Sequence, residues 1–351
     1  MKAVLTCGGT GGHIYPAIAI ADKIKEHNPD AEILFIGTKK GMENRLVPAA
    51  GYEIKGIDAS GIDRHHLLNN IKTFENYIKG GHEASEILDS FKPDVVIGTG
   101  GYVTGSVISR ADKRHIPCYI HEQNAFPGVA NKALEAHVKK VFISFPEAAS
   151  YFRHQDKIVL SGNPIRAEFI NLKNIPHEKK TVLVCGGSLG AEMINKGCIE
   201  MIKEKPDFNI IFVTGRRYYE EVKAELGELP ANLRLIDYEN NMPERMAESD
   251  LIVSRSGAIT LSEILASRKP AIFIPSPNVT GNHQYHNAKS VADAGAALLL
   301  EEKLLKENIA LLSQEVKRLL SDDAALASMS ENAGRIAKLD AADIIYRNIY
   351  G

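Results

Sequence analysis

"TCGGTGGHIYPAIAIADKI", running from Thr6 to Ile24, decides the fold. Four glycines and a threonine follow the apolar run "KAVLTC" and open onto a helical pattern. In that pattern Ile14, Ala17, Ile18, Ala21 and Ile24 fall on one face. A strand, a glycine turn and a helix in this order begin a βαβ unit. Farther along, "LVCGGSLGAEMINKG" (Leu183 to Gly197) repeats the arrangement without the histidine. One loop is built to hold a ligand; the other also carries a titratable ring.

Short apolar runs rich in β-branched residues recur on both sides of the repeat. "EILFIG", "DVVIGTG", "CYIHEQN" and "KVFISF" follow the first loop. "TVLVCGG", "NIIFVTG", "LRLIDY", "DLIVSRSG" and "PAIFIPS" make the second series. Runs of this kind, separated by helical stretches, predict parallel strands covered on both faces. The near-identity of "VLTCGGTGG" and "VLVCGGSLG" is an internal repeat of whole-domain size. The expectation is α/β: two doubly wound parallel-sheet domains, 1–162 and 163–334, joined at the turn-rich "SGNPIR" (Ser161 to Arg166). The 351 residues suffice for both. Two such domains would face each other across a cleft at their strand C-termini, where these sheets bind ligands.

Composition removes several function classes. A formal charge of −2 is unlike a nucleic-acid binder, which carries a basic excess. The opening residues have too short an apolar core for a signal peptide, and no later run approaches a membrane span. Cys7, Cys118, Cys185 and Cys198 lie far apart without metal-ligand spacing and read as reduced core residues of a cytosolic protein. No HExxH and no DxD occurs, so neither a protein-bound metal nor a cofactor is expected.

Free backbone N–H groups and the helix dipole make both strand–glycine–helix turns suited to an anion. Neither matches GxGxxG or GxxxxGK[ST], which disfavours dinucleotide and P-loop readings. A third turn, "GTGGYVTG" (Gly98 to Gly105), gives the first domain a second glycine edge and points to a second phosphate-bearing molecule there. His13 stands at a helix start, where the dipole disfavours imidazolium. A neutral ring there can take a proton from a hydroxyl, whereas the plain alternative is a ring that caps the turn or packs on Tyr15. "IHEQN" ends a strand with four polar residues. Loop bonding and a ligand role stay open for His121 and Glu122, while Asn124 is the better ligand candidate. Arg166, beside the junction, is placed to grip a phosphate or to sit in a surface salt bridge. In "SRSGAITLSEILAS" (Ser254 to Ser267), Ala258, Leu261, Ile264 and Leu265 form a buried helix face, and Thr260, Glu263 and Ser267 a polar stripe. A carboxylate at Glu263 suits the two hydroxyls of a ribose. "GNHQYHNA" (Gly281 to Ala288) offers amide and imidazole groups to sugar hydroxyls. Residues 64–80 line up Leu67, Leu68, Ile71, Phe74 and Ile78 beside Arg64, Lys72 and Lys79. Such a stripe suits either an anionic bilayer or a protein core.

The ordered motifs "GGTGGHIYPA", "GGYVTG", "HEQN", "GNPIR", "GGSLGA", "SRSGAITLSE" and "NHQYHNA" resemble the MurG family of bacterial N-acetylglucosaminyltransferases over almost the whole chain. The resemblance implies a GT-B fold of two Rossmann-like domains, with the final helix, from about residue 335, packed back on the first. The second domain would bind UDP-N-acetylglucosamine. The first would bind undecaprenyl-pyrophosphoryl-N-acetylmuramoyl-pentapeptide (lipid I) at the cytoplasmic face of the membrane, for cell-wall synthesis during growth and division. It implies Ser188 and Gly190 at the diphosphate with Arg166 nearby, Glu263 at the ribose, and Gln284 with His283 at the sugar. The backbone near Glu239 and Met242 would meet the uracil, and Ala258, Ile259 and Thr260 would complete the donor side. His13, Asn124 and Thr10 would serve the acceptor, with Gly11, Gly12, Gly101 and Tyr102 in the flanking turns. The family often carries a second glutamine where this chain has His283. The implied reaction is an inverting, metal-independent transfer to the C4 hydroxyl of N-acetylmuramic acid, with His13 as base.

A 2-epimerase, or a transferase with another acceptor, shares this fold and donor. An epimerase leaves "GTGGYVTG" and the 64–80 stripe unexplained. A nicotinamide oxidoreductase would want GxGxxG with an acidic residue about twenty positions on. A two-lobed binding protein would need neither that histidine nor a cytosolic location.

Overall fold

Two sheets, each wholly parallel, carry the chain in the computed structural model. The structure describes residues 1–59, 70–170, 172–187 and 190–351, with the backbone alone for 70–77 and 280. Leu67 and Leu68 lie outside the described residues, as does Ser188. Ile71, Lys72 and Phe74 are placed only as backbone in helix Asn70–Phe91.

The first unit comprises Met1–Ile165 and Leu339–Gly351, and the second Arg166–Lys338. In the first, β1 (Lys2–Cys7), β2 (Glu32–Thr38), β3 (Glu53–Ile57), β4 (Val95–Gly100), β5 (Cys118–Glu122), β6 (Lys140–Ile143) and β7 (Ile158–Leu160) take the order β3-β2-β1-β4-β5-β6-β7. In the second, β8 (Thr181–Cys185), β9 (Asn209–Val213), β10 (Leu233–Ile236), β11 (Leu251–Ser254), β12 (Ala271–Phe273) and β13 (Ala297–Leu299) run β10-β9-β8-β11-β12-β13. The internal repeat is therefore topological: β1 and β8 hold the same central place. Each order reverses once, between β1 and β4 and between β8 and β11, and that switch is where doubly wound sheets open a crevice.

Alternation along β1 explains the two layers of the first core. Ala3, Leu5 and Cys7 pack with Ile14, Ala17, Ile20 and Ile24 of helix Gly11–His27, while Val4 faces Val103 and Val107 on the opposite side. Burial of each large aliphatic contributes roughly 1.5–3 kcal/mol, so both sheet faces must be covered. Helix Ala341–Tyr350 supplies part of that cover. Ile345 is buried in the same cluster, and Tyr346 stacks on His27 with ring centroids 4.3 Å apart. Under this extra layer Ile20 is fully buried and Ile18 only partly, a shift from the five-residue face expected. β3, β7 and β13 were not expected. They are edge strands, two of them three residues long, and β3 alternates exposed charge with apolar residues. All four cysteines are free and buried. Burial pushes the Cys118 thiol up to about 12 and that of Cys185 to about 11. Among the described residues no helix is long and apolar enough to cross a membrane.

Candidate active site

The first unit gathers its polar residues at the β1/β4 switch. Gly8 N–H donates to the Gly100 carbonyl at 3.2 Å, which ties the first glycine loop to the third. Gly100 and Gly101 both have positive φ, +115° and +92°. A Cβ on Gly100 would sit 2.5 Å from His13 Nδ1, and one on Gly101 2.5 Å from the Gly8 carbonyl oxygen. Glycine is thus required there by both backbone and space. Thr10 caps helix Gly11–His27 through its carbonyl, which accepts from the N–H groups of His13 and Ile14. Gly11 and Gly12 form the helix's first turn, where amide N–H groups face outward. Tyr102 begins helix Tyr102–Asp112 and is 64% exposed.

His13 Nδ1 lies 3.0 Å from the Thr99 carbonyl oxygen and 3.1 Å from Gln123 Oε1. Both neighbours are acceptors, so Nδ1 carries a proton and the neutral ring keeps its lone pair at Nε2. Thr99 Oγ1 donates to the His13 carbonyl at 2.7 Å, which holds the residue from the other side. Glu122 and His121 are buried in the loop's own bonding. Glu122 Oε1 accepts from Asn124 N and Nδ2, and its Oε2 from Gly128 N and Asn131 Nδ2, all within 3.1 Å. Asn124 is thereby set at the loop's half-exposed end.

One supporting residue had no sequence signal. Glu43, fully buried, accepts from Gly9 N at 3.3 Å, from Thr38 N at 2.9 Å and from Thr38 Oγ1 at 2.6 Å. It braces the first glycine loop from 34 positions away.

The second unit repeats this plan at the β8/β11 switch. After β8, Gly186 and Gly187 lead through the undescribed 188–189 to Gly190 and to Ala191, the N-cap of helix Glu192–Lys203. After β11 comes Gly257, the N-cap of helix Ala258–Ala266, with Ala258 and Ile259 buried and Thr260 half-buried at its start. Arg255 locks this loop. Its Nη1 donates to the Ile274 and Pro275 carbonyls at 3.0 Å each, and its Nη2 lies 2.6 Å from Glu302. Ser256 Oγ donates to the Gln284 carbonyl at 2.8 Å, and Ser276 N to Gln284 Oε1 at 2.9 Å. What Gln284 can offer a ligand is therefore its NH2 group. His283 precedes it at the start of helix His283–Asp293.

Glu263 points its Oε1 at Arg166, 3.2 Å from Nη2 and 3.4 Å from Nε, and the guanidinium lies over the Phe169 ring. Burial raises the Glu263 carboxyl to about 7, with Arg166 pulling it the other way. Thr260, Glu263 and Ser267 do not make one polar stripe. Ser267 is buried and donates to the Ile264 carbonyl at 2.9 Å as the helix closes, and Glu263 is itself buried. Glu239 Oε1 accepts from Asn241 N at 2.6 Å, and its Oε2 lies 3.2 Å from Arg245, just ahead of Met242 at the start of helix Met242–Ala247.

Comparison with known proteins gives this arrangement a family. Residues 3–143 match the glycosyltransferase family 28 N-terminal domain, and residues 181–347 its C-terminal domain. The UDP-N-acetylglucosamine--N-acetylmuramyl-(pentapeptide) pyrophosphoryl-undecaprenol N-acetylglucosamine transferase of Thermoanaerobacter sp. (strain X514) is 45% identical over 363 residues, spanning 99% of either chain. The transferase of the same name from Leuconostoc mesenteroides is 42% identical, over 99% of this chain and 98% of its own. The chain belongs to the MurG family of glycosyltransferases. A solved MurG from Acinetobacter baumannii superposes with a TM-score of 0.80 at 28% identity, covering 99% of both chains. A UDP-GlcNAc 2-epimerase from Neisseria meningitidis superposes with 0.71 at 18% identity over 99% of both chains, which reflects the shared GT-B fold. In this chain the first unit ties the turn ahead of Gly101 and Tyr102 to the loop that carries Thr10, Gly11, Gly12 and His13, and Asn124 follows Gln123, which meets His13. The second brings Arg166 to Glu263, and ties Gln284 to the loop that precedes that helix.

Proposed function

We propose that the chain transfers N-acetylglucosamine from UDP-N-acetylglucosamine to the C4 hydroxyl of the N-acetylmuramoyl unit of lipid I, with inversion and without a metal. The single observation that carries the mechanism is the pair of acceptors facing His13 Nδ1, which leaves Nε2 as the proton-accepting nitrogen of the neutral ring. His13 Nε2 takes the C4 proton as that oxygen forms its bond to the anomeric carbon. The bond from that carbon to the β-phosphate oxygen breaks, and UDP leaves with the electron pair. An α-linked donor thus yields a β-1,4 product.

The developing charge on UDP meets the N–H groups around Gly190, the start of helix Glu192–Lys203 and the Arg166 guanidinium. Glu263 accepts the ribose hydroxyls, Gln284 and His283 bind the sugar, and the backbone at Glu239 and Met242 meets the uracil. Asn124 and the turns at Gly11, Gly12 and Gly101 hold the acceptor. The basic, apolar pattern of residues 64–80 supports a peripheral position on the cytoplasmic face of the membrane, where the polyprenyl acceptor resides.

Purified protein is given UDP-N-acetylglucosamine in chelator-containing buffer, with and without a lipid I analogue. The expected result is acceptor-dependent UDP release with a disaccharide whose anomeric coupling is β. Release that ignores the acceptor, or formation of a 2-epimer from the donor alone, contradicts the reading.

A further inference from the structure

Behind His13 lies a second histidine that faces no crevice. His121, on β5, is fully buried, and its Nε2 lies 3.0 Å from the Gly162 carbonyl oxygen. That bond requires a proton on Nε2. Burial pushes the ring down to about 4, so it is neutral and its Nδ1 is a bare acceptor. Gln123 Nε2 lies 2.9 Å from that Nδ1 and 2.7 Å from the Thr99 carbonyl oxygen. The His121 carbonyl oxygen stands 3.2 Å from the same nitrogen, so acceptors alone surround it and only one orientation of the amide satisfies them. The flipped amide would set its oxygen against a lone pair on one side and a carbonyl on the other. With the NH2 so fixed, Gln123 Oε1 is left facing His13 Nδ1, beside the Thr99 oxygen.

We propose that Gln123, anchored by His121 and the Gly162 carbonyl, is a positioning residue that holds His13 in the Nδ1–H form and so places the lone pair at Nε2. The proposal deepens the reading above and rests on His13 being the base. The chain of bonds runs Gly162 C=O, His121, Gln123, His13, with each donor fixed by the acceptor before it. A buried glutamine suits this place because one planar group is donor at one end and acceptor at the other, and Gln123 is 1% exposed. Asn163 Nδ2 donates to the Gln123 carbonyl at 3.1 Å and secures the same loop.

The test is heteronuclear NMR of protein labelled with nitrogen-15 in its histidines, together with steady-state kinetics. In the parent, His13 Nδ1 is expected to read as a protonated nitrogen and Nε2 as a bare one, with the reverse for His121. Gln123→Met removes the amide at similar length. With the Thr99 carbonyl left as one acceptor at Nδ1, it is expected to raise the Nε2–H share of His13 above the parent's and to lower kcat at least ~10-fold while KM for UDP-N-acetylglucosamine is unchanged. Gln123→Glu, protonated on the oxygen that takes the place of the amide NH2, keeps an acceptor toward Nδ1 and is expected to return His13 to the Nδ1–H form. A parent His13 protonated at Nε2 overturns the proposal, and that measurement needs no folded variant. A Gln123→Met protein with unchanged tautomer and kcat also overturns it, as does an equal loss in kcat and donor binding. Full activity in His13→Ala would remove the base instead, leaving the tautomer measurement to stand by itself.

Discussion

Replacing Glu263 with glutamine separates what the carboxylate does for a ligand from what it costs the fold. Burial takes this carboxyl from its ordinary 4.5 to about 7, against the pull of Arg166. The folded chain thus holds the proton more tightly than the unfolded chain. The stability this contributes is full below about pH 4.5 and is lost as pH rises through about 7. A displacement of that size corresponds to ~3 kcal/mol across the window. Glutamine has the same shape and no proton to lose, so Glu263→Gln should not show that decline. By pH 8 the variant should exceed the parent's urea stability, once the two are matched at pH 4.5. Arg166 is one-third exposed and rehydrates when its partner is neutral. The proposed ribose contact moves the other way. A carboxylate accepts from both hydroxyls with charge-assisted bonds, whereas the amide offers one oxygen, a loss of ~1.5–2 kcal/mol or roughly 10- to 30-fold in donor affinity. Urea unfolding at pH 4.5, 6 and 8 and calorimetric titration with UDP-N-acetylglucosamine at pH 8 read both. A variant that keeps the parent's pH dependence, or binds donor as tightly, refutes the reasoning.

Two further substitutions probe the acceptor side. Gly100→Ala sets a Cβ 2.5 Å from His13 Nδ1 at a φ of +115°. Its strain should cost ~1–3 kcal/mol of stability and displace the ring, lowering kcat with donor affinity unchanged in the same titration. Glu122→Gln turns an NH2 group toward donors that now meet carboxylate oxygens, among them buried Asn131 Nδ2. Urea unfolding should show a loss of ~3 kcal/mol, and the rate should fall as Asn124 loses its anchor.

The fold was legible because its signals are local. Ten apolar runs became strands, and the paired glycine turns fell at the two switch points, since both depend only on neighbours in sequence. Three of the four edge strands escaped because β3 carries Glu53 and Lys55 and gains its pairing from β2, and β7 and β13 are too short to show a period. The same limit governs the site. "HEQN" singled out this stretch, yet nothing in it distinguishes Gln123, which bonds His13 across 110 positions, from Glu122, which organises the loop. Glu43 and Arg255 work through partners 34 and 47 residues away and leave no spacing to read. Ser267 illustrates the opposite error. Helical spacing put it on a polar face, and the helix end turned it inward to a backbone carbonyl.

The proposed reaction divides the labour: the second unit would hold the nucleotide sugar, and the first would supply the nitrogen that takes the proton. Single-turnover transfer to a lipid I analogue by His13→Ala, measured beside its affinity for UDP-N-acetylglucosamine, tests this most directly. The account predicts a rate at least ~100-fold below the parent with donor affinity unchanged. A parent-like rate, or donor affinity that falls in step with the rate, would contradict it.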